Sequence, residues 1–491
     1  MLKPKDALDA ARNIWTGPRI HEATRLNFIA SAVNPRRAYS SYMNQPMNAI
    51  GLGHPTVEMP QDAPQVMKNL AWKSRTNFLP LILDTFSQVM KADGYLEANG
   101  VPSNAWKYWQ RNGLDARQSG VHRSALQYGA AYATILPGDT GPVIEGYSPR
   151  RMTAIYADAT IDDWPMMALD VNGPMMKLYD EECVYHIGVE KYPLSGLGAQ
   201  LRIPDGTSWV FLGAKKHGLS FCPVARFRDR MLLDGEEQFG IVEQLIDIQR
   251  RVDETTFGML TAQYYAAFKQ RYIIGWIPQS EQEYLSTAVK DFWAFKDADV
   301  KVGEFTETDL TRYITSKESA LDDMAAIAQV SASTLGSAAK GRSNVSAEAV
   351  AAMDAGKDRK GSEIKTSFGE TWELVLRTAA SIDGDTAAAS DESSQIRWRD
   401  MTTISPGAVV DALGKMQSML GIPAEMLWTR IPGWTDQDQA RAVELIKSGD
   451  SLDKLMVTLA KQGSPAANGQ APASDVPGPD SGGSTVGLGT N

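Results

Sequence analysis

Apolar positions along this chain fall first into a helical rhythm, then into an alternating one, then back into a helical one. Residues 1–60 are mixed, with breaks at Gly17-Pro18 and at Gly51–Pro55. From about Asn69 to Gln127 the spacing predicts helix. Leu79, Leu83, Phe86 and Met90 recur at three- and four-residue steps on one face, and Ala105, Trp106, Trp109 and Leu114 continue the pattern. From Ala131 the period shortens. Tyr132–Leu136, Val143-Ile144, Met152–Tyr156, Met166–Val171, Met175–Tyr179, Val184–Val189, Trp209–Leu212 and Val224–Phe227 read as short strands, separated in places by Gly138–Gly141 and Asn172-Gly173. Asn-Gly supplies the positive φ of a tight hairpin, so the expectation is an antiparallel meander and not a βαβ unit.

Glu236–Gln270 then runs 35 residues without proline, which predicts a helix of roughly 52 Å at 1.5 Å per residue. Val242, Leu245, Ile246, Val252, Phe257, Leu260, Tyr264 and Phe268 keep approximate helical spacing. A helix well beyond the usual length serves as a strut or an assembly surface. Arg271–Glu307 reads as a small insert, with strands at Tyr272–Ile277, Phe292–Phe295 and Val300–Phe305 and a short helix near Glu281–Val289. A second helix, Asp309–Val330, returns on Leu310, Ile314, Leu321, Met324 and Ile327. The polar loop Gly336–Asn344 has no large apolar side chain. A third helix is predicted from an N-cap at Ser346, with Glu348 in its first turn, to about Ser381. Ile364, Phe368, Trp372 and Leu376 are its apolar stripe. Gly356 and Gly361 each cost about 1 kcal/mol relative to Ala and predict a kink. Residues 406–448 suggest three short helices, with Gly421 as a C-cap and Pro423 in a first turn. Gln462–Asn491, rich in Gly, Ser, Pro and Ala, has the composition of a disordered tail.

Composition narrows this picture without redirecting it. A chain of 491 residues, 43% hydrophobic and 22% charged, has ordinary globular composition and room for several domains. Its net charge of −10 means that the surface as a whole does not seek phosphate. Cys183 and Cys222 lack metal-ligand spacing and point to a reducing compartment. Met1–Ala30 has no continuous apolar core of a signal peptide, and no run is long enough to span a bilayer. The expectation is a soluble chain, intracellular where it is made.

Candidate chemistry is sparse. Gly336–Ser343 reads G-x-x-x-x-G-R-S, but a phosphate loop needs lysine where Arg342 stands and a buried strand before it, and here a helix precedes. His21, His54, His122, His186 and His217 are scattered without metal-site spacing. Gly51-Leu-Gly53 is followed by His54-Pro55, unlike a dinucleotide fingerprint. Asp162-Asp163 and Asp322-Asp323 are adjacent pairs whose side chains diverge on regular structure, so they read as solvated faces. Trp106, Tyr108 and Trp109, interleaved with Lys107 and Arg111, resemble a base-stacking patch, yet core packing is the better reading. No catalytic, cofactor or metal residue is assigned.

Six stretches carry a family resemblance: Leu83–Phe86 (LDTF), Asp115–Gln118 (DARQ), Tyr147–Arg151 (YSPRR), Phe221–Arg226 (FCPVAR), Ser367–Glu370 (SFGE) and Ile396–Asp400 (IRWRD). In this order, with the helix–insert–helix–loop–helix pattern, the chain from roughly residue 70 to 450 resembles the portal proteins of tailed bacteriophages, particularly long-tailed phages of actinobacteria. The resemblance implies a multi-domain α+β architecture without enzymatic activity. It maps an N-terminal segment on 1–68, an α/β wing with the meander on 69–233, stem helices on 234–270 and 308–330, and a small β-containing clip on 271–307. A tunnel loop falls on 331–346, a kinked tunnel helix and wing return on 347–404, an α-helical crown on 405–461, and a tail on 462–491. It further implies a dodecameric homo-oligomeric ring at one capsid vertex of the virion, through which double-stranded DNA is packaged and ejected. Partners would be the terminase large subunit, the major capsid and scaffolding proteins, and a head-completion or adaptor protein, with no membrane. Many relatives carry prolines after the second stem helix, where this chain has Ser331–Thr334.

Ser337, Lys340, Arg342, Ser343 and Asn344 would face the channel. An acidic subunit with isolated cations at its narrowest point would touch DNA without holding it, because each phosphate neutralised adds affinity. Trp276 and Trp293 of the clip either anchor a partner or fill the insert's own core. The rival readings are another head–tail connector or minor capsid protein, or a packaging ATPase or nuclease. The enzyme would need the missing lysine and a carboxylate cluster.

Overall fold

The computed structural model describes residues 1–33, 57, 59–60, 62–98, 100–190, 208–233, 239–267, 271–274, 301–304, 309–336, 347–399, 406–428, 431 and 441–444. Two compact units divide the chain, Met1–Arg399 and Asp400–Asn491. In the first, helices α1 (Pro4–Ile14), α2 (Ile20–Val33), α3 (Gln65–Lys73) and α4 (Leu79–Val89) precede strand β1 (Ala92–Leu96) and helices α5 (Trp106–Arg111) and α6 (Leu114–Tyr128). Strands β2 (Ala130–Gly138), β3 (Gly141–Tyr147), β4 (Met152–Ile155), β5 (Met167–Asn172), β6 (Met175–Tyr179), β7 (Cys183–Val189), β8 (Trp209–Lys216) and β9 (Val224–Arg228) follow. Then come α7 (Ile246–Ala267), β10 (Arg271–Ile274), β11 (Lys301–Glu304), α8 (Thr311–Ala328), α9 (Ala347–Asp383), α10 (Thr386–Ala389) and β12 (Gln395–Trp398). The second unit contains α11 (Pro406–Leu420) and α12 (Ala424–Leu427).

The alternating region is antiparallel, but it is two sheets and not one meander. β4 to β8 form a five-stranded sheet in sequence order, whereas β9 returns to pair with β2, giving the order β3-β2-β9. Tyr132, Tyr147, Met152, Tyr179 and Val224 fill the space between the two sheets. The tight turn after β5 also differs from expectation. Asn172 pairs with Met175, so the two loop residues are Gly173 and Pro174, with Gly173 at φ 61°. The glycine supplies the positive φ and the proline is pre-set for the next position.

Two long-range features escaped the local pattern. The N-terminal helices belong to the fold: Ala7, Ala11, Ile14 and Trp15 are buried against Leu178, Tyr185 and Ile187 of the five-stranded sheet. Gly17-Pro18 does not break the chain into loops. It is absorbed by a five-residue π-helical turn, Trp15–Arg19, that joins α1 to α2. Within the stretch expected to be wholly helical, β1 pairs antiparallel with β12, some 300 positions away. Such pairing is invisible to periodicity because the partner strand alone decides it.

The largest core gathers around α9. Ile364, Phe368, Trp372 and Leu376, the expected stripe, are all buried, with Trp372 and Phe368 fully so. Helical hydrogen bonding continues unbroken through Gly356 and Gly361 along the 37 residues of this helix. In the second unit Gly421 takes φ 64° after α11, as a helix-terminating residue, and Pro423 is the N-cap of α12, not inside its first turn.

The first long helix starts at Ile246, ten residues later than Glu236, after a 3-10 turn at Glu243–Leu245. The cause is a close passage of backbone. Ile241 N–H donates to Leu126 O at 2.9 Å, and a Cβ on Gly240 would lie 2.3 Å from that same oxygen. The chain crosses the end of α6 here and cannot be helical while doing so. Gly240→Ala is expected to destabilise the fold by about 1–3 kcal/mol, since both obstructing atoms are backbone. Urea unfolding monitored by tryptophan fluorescence checks it; an unchanged midpoint would refute the close passage.

Candidate functional site

The helix–insert–helix pattern is realised as an antiparallel hairpin. Arg251 of α7 ion-pairs with Asp323 of α8, and Gly258 lies against Tyr313, whose ring comes within 3.0 Å of where a Cβ would stand. Rising numbers on one helix meet falling numbers on the other, which fixes the antiparallel sense. At the far end β10 and β11 pair with Arg271 opposite Glu304, prolonging the hairpin as a two-stranded ribbon. Gly258 has a packing role that Gly in a helix interior otherwise lacks.

A buried polar knot roots α7 in the rest of the first unit. Gln249 donates to Thr76 O at 2.8 Å and to Asp253 Oδ1 at 2.9 Å, and accepts from Phe78 N–H at 2.9 Å. Asp253 accepts from Thr76 N–H at 3.0 Å. Both side chains are almost fully buried. They cap the backbone that leads into α4, because those groups have no helical partner of their own. The available sequence signal is a pair of polar residues four apart beside Leu245 and Val252, where a core-facing helix should be apolar.

α8 ends in a Schellman motif. Gln329 N–H donates to Ala326 O at 3.2 Å and Val330 N–H to Ala325 O at 3.0 Å, with Gln329 at φ 58°. Among the described residues it is the one non-glycine with positive φ. Ser331 then caps a 3-10 turn, Ala332–Leu335, accepting from Ser333 N–H at 3.3 Å. This is how the helix stops with Ser331–Thr334 after it and no proline. The Gln329 carbonyl lies 3.3 Å from the Cβ position of Gly356 on α9, so the residue before the loop and the helix after it meet backbone to backbone.

Of the channel candidates, Ser337, Lys340, Arg342, Ser343 and Asn344 lie outside the described residues, and so do Trp276 and Trp293. The described residues on either side of 337–346 are Gly336, at φ 82°, and Ala347, the first residue of α9. Among the described residues no cluster of three or more His, Cys, Asp or Glu could hold a metal ion, and no helix is long and apolar enough to cross a membrane. Cys183 and Cys222 are buried free thiols.

The six stretches that carried the resemblance build structure in two cores, one around α9 and one between the two sheets. Phe86 is in the core, and Asp84 ion-pairs with Arg123. Asp115 accepts from Trp109 Nε1 at 3.0 Å, while Gln118 bonds the backbone N–H and carbonyl of Ala92 in β1. Arg151 pairs with buried Asp170 at 2.6 Å and lies over the Tyr147 ring. Ala225 and Ile396 join the same core as Phe86, and Arg397 pairs with Asp93 across β1 and β12 at 2.9 Å. Tyr108 and Trp109 are fully buried, so the aromatic cluster is core and not a base-stacking surface.

His122 stands at the centre of this region. Phe368 stacks on it at 5.0 Å and Trp398 lies at 5.6 Å. Nε2 accepts from Trp372 Nε1–H at 2.8 Å, which leaves Nδ1–H to donate to Met90 O at 3.0 Å. One neutral tautomer satisfies both contacts, and a second ring proton would face a donor. Burial accordingly pushes its pKa down to about 4.

Two predictions follow from these sites. Gln329→Gly removes the left-handed strain and should raise stability by about 0.5–1 kcal/mol, less than the full strain because glycine also loosens the unfolded chain; a lowered melting temperature would sink the Schellman reading. For His122, the unfolded chain takes up its proton first as pH falls. The contribution is therefore complete above pH about 6.5 and declines by about 3 kcal/mol as pH approaches 4. Unfolding of the chain and of His122→Gln is compared at pH 7.5 and 4.5. The variant should lose less stability, and the comparison cancels carboxyls such as Asp229, which burial raises to about 6. Equal losses would overturn the assignment.

Comparison with known proteins places the chain. The family model described as phage portal protein, SPP1 Gp6-like, matches residues 63–451. The portal protein of Mycobacterium phage D29 is 24% identical over 358 residues, covering 68% of this chain and 71% of the relative. That of Mycobacterium phage L5 is 22% identical over 383 residues, covering 73% and 74%. Among solved structures, a chain from the virion of a native gene transfer agent particle aligns with TM-score 0.43 and 11% identity over 79% of this chain and 95% of its own. One from the neck of an empty particle aligns with TM-score 0.44 and 13% identity over 75% and 92%. With the family model spanning most of its length, this chain belongs to the SPP1 Gp6-like family of phage portal proteins.

Proposed function

We propose that copies of this chain assemble into a closed ring, a dodecamer, at one capsid vertex, and that double-stranded DNA passes through it during packaging and ejection. The observation that carries this reading is the α7–α8 hairpin with its surplus of exposed apolar side chains. Tyr264, Tyr265, Ile274, Ile314 and Ile327 are 37–58% exposed along one hairpin and its ribbon. Apolar surface gathered on a projecting element favours contact with further protein. A ring that repeats the hairpin around an axis supplies such contact from the next copy.

In this reading the hairpin is the stem, and the ribbon of β10 and β11 is the base of the clip. The clip is the docking place of the terminase large subunit and later of a head-completion protein, with Trp276 and Trp293 as anchors. The wing meets the major capsid and scaffolding proteins. Residues 337–346 form the tunnel loop, held between the capped end of α8 and the start of α9, and present Lys340 and Arg342 to DNA. The role needs no catalytic group. Sparse cations on an acidic subunit limit the number of phosphates neutralised at any moment, so DNA slides without being trapped.

Imaging of portal complexes released from assembled heads tests the ring. Closed particles with a central hole are expected, and their absence would defeat the proposal. Within such rings, Lys340→Ala with Arg342→Ala should leave head assembly normal but lower packaging, DNA retention or ejection severalfold. If all three match the unaltered chain, those two cations have no role in the channel.

A further inference from the structure

Strand β9 leaves its sheet with arginine at every second position, Arg226, Arg228 and Arg230. Alternation puts Arg226 and Arg228 on one face of the strand, and Arg230, just past its end, lines the same cavity. Helix α9 closes the free edge of this strand: Ser367 Oγ donates to Arg228 O at 2.8 Å, and Thr371 Oγ1 to Arg226 O at 3.3 Å. Backbone pairing is thus satisfied locally, and the guanidinium groups are left to line a cavity of about 590 Å3 beside the helix. Its lining also includes Arg377, Glu363 and Glu370 of α9, and Asp162 and Asp163 from the turn after β4.

The arginines are under-satisfied for groups so enclosed. Arg230 pairs with Asp229, but Arg226 and Arg228 have no carboxylate within 4.0 Å among the described residues. They share a single acceptor, Ala159 O, at 2.6 and 3.4 Å. Arg228 is only 9% exposed, and Arg226 Nε is buried without a hydrogen-bond partner. Two cations gathered on one carbonyl repel each other, and a carboxylate reaching the cavity would bridge them with charge-assisted hydrogen bonds.

We propose that this groove receives a carboxylate-bearing segment of a second copy of the chain. The inference rests on the ring reading and adds to it a specific acceptor on the body of the subunit, away from the helical hairpin. The four carboxylates in the lining disfavour a free polyanion. A cavity bearing both signs suits a polypeptide segment that bears both signs, and a chain of net charge −10 offers acidic side chains on every copy. In a cyclic ring each contact joins two different surfaces, so one groove per copy meets one donor segment per neighbour.

Thr366, exposed on the lip of the groove, is the place for a probe. Full-length chain carrying p-benzoylphenylalanine at position 366 is assembled into heads and irradiated, and the attachment site is mapped by mass spectrometry. A crosslink to a second copy is expected. Its yield, and the fraction of chain in rings, should fall at least ten-fold in Arg228→Glu, and clearly also in Arg228→Met, which keeps the side-chain bulk. Thermal unfolding of unassembled protein should be unchanged in the Met variant. Rings that form normally in both variants overturn the proposal and leave the ring reading standing. So does a crosslink confined to the chain's own Asp234–Gln238 or to another head protein. Heads that contain no rings would instead overturn the ring reading, and this inference with it.

Discussion

A dry core built around one long helix is the constraint on which the rest of the first unit depends. α9 buries Phe368, Trp372, Val375, Leu376, Ala379 and Ala380 completely, and elements from distant parts of the chain close over that stripe. Among them, α6 contributes His122 and β9 contributes Phe227, whose ring lies 4.6 Å from that of Trp372. Two polar groups are taken into this core, the indole N–H of Trp372 and the imidazole of His122, and they are tolerable because each satisfies the other. The geometry is exacting, since Nε2 must stay unprotonated to accept and Nδ1 must donate to Met90. A core that fixes one tautomer also fixes how α6, α9 and the end of α4 sit together.

How much of this was legible in the sequence depends on whether the deciding interaction was local. The apolar stripe of α9, the strands between Ala130 and Val189 and the return helix α8 follow from side-chain periodicity, which is a property of a few consecutive residues. The start of α7 did not follow, because Gly240 is placed by the end of α6 and not by its neighbours in sequence. The β1–β12 pair, and the return of β9 to β2, are set by partners far away. Gly356 read as a weakness in a helix; in the structure it is the point where the Gln329 carbonyl approaches. The candidate site residues, on the proposed tunnel loop and the proposed clip, lie outside the described residues, and the structure describes only the elements before and after them. Gln249 and Asp253 were passed over because polar residues near a helix surface are usually solvated, and only tertiary contact reveals them as buried caps; Gln329 is exposed and stops α8 through its backbone alone.

The joints of the hairpin differ in kind from its shaft. Along the shaft, α7 and α8 touch through an exposed ion pair and a glycine–tyrosine contact, and toward the root Ile246 and Val252 share a buried core with Leu321, Met324 and Ala328. At its root, the buried side chains of Gln249 and Asp253 tie it to the α3–α4 connection through three hydrogen bonds and are joined to each other by a fourth. Where α8 ends, backbone groups alone make the stop, through the two bonds of the Schellman motif. An exposed ion pair such as Arg251–Asp323 contributes at most about 1 kcal/mol, so beyond that pair the relation between the helices can adjust at modest cost, whereas toward the root buried apolar side chains of both helices hold them together. Removing a buried cap leaves an orphan donor, which costs about 1–3 kcal/mol each time. Rigidity is therefore concentrated at the two ends of the hairpin, next to the body of the subunit.

That distribution bears on the proposed channel. DNA moving past a wall pushes on whatever projects from it, and a loop that deflects must not unfold the helix behind it. The last turn of α8 is closed by its own main chain, Ser331 caps the 3-10 turn that follows, and buried Leu335 and Val330 hold that turn against the core. Force applied beyond Gly336 therefore meets a segment whose hydrogen bonds are already complete, before it reaches α8. On the other side the loop runs into α9, whose far half carries the largest core of the subunit. In the proposed ring, a contact made between residues 337 and 346 would therefore meet two closed anchors, the stop of α8 and the core half of α9, before it reached the body of the subunit.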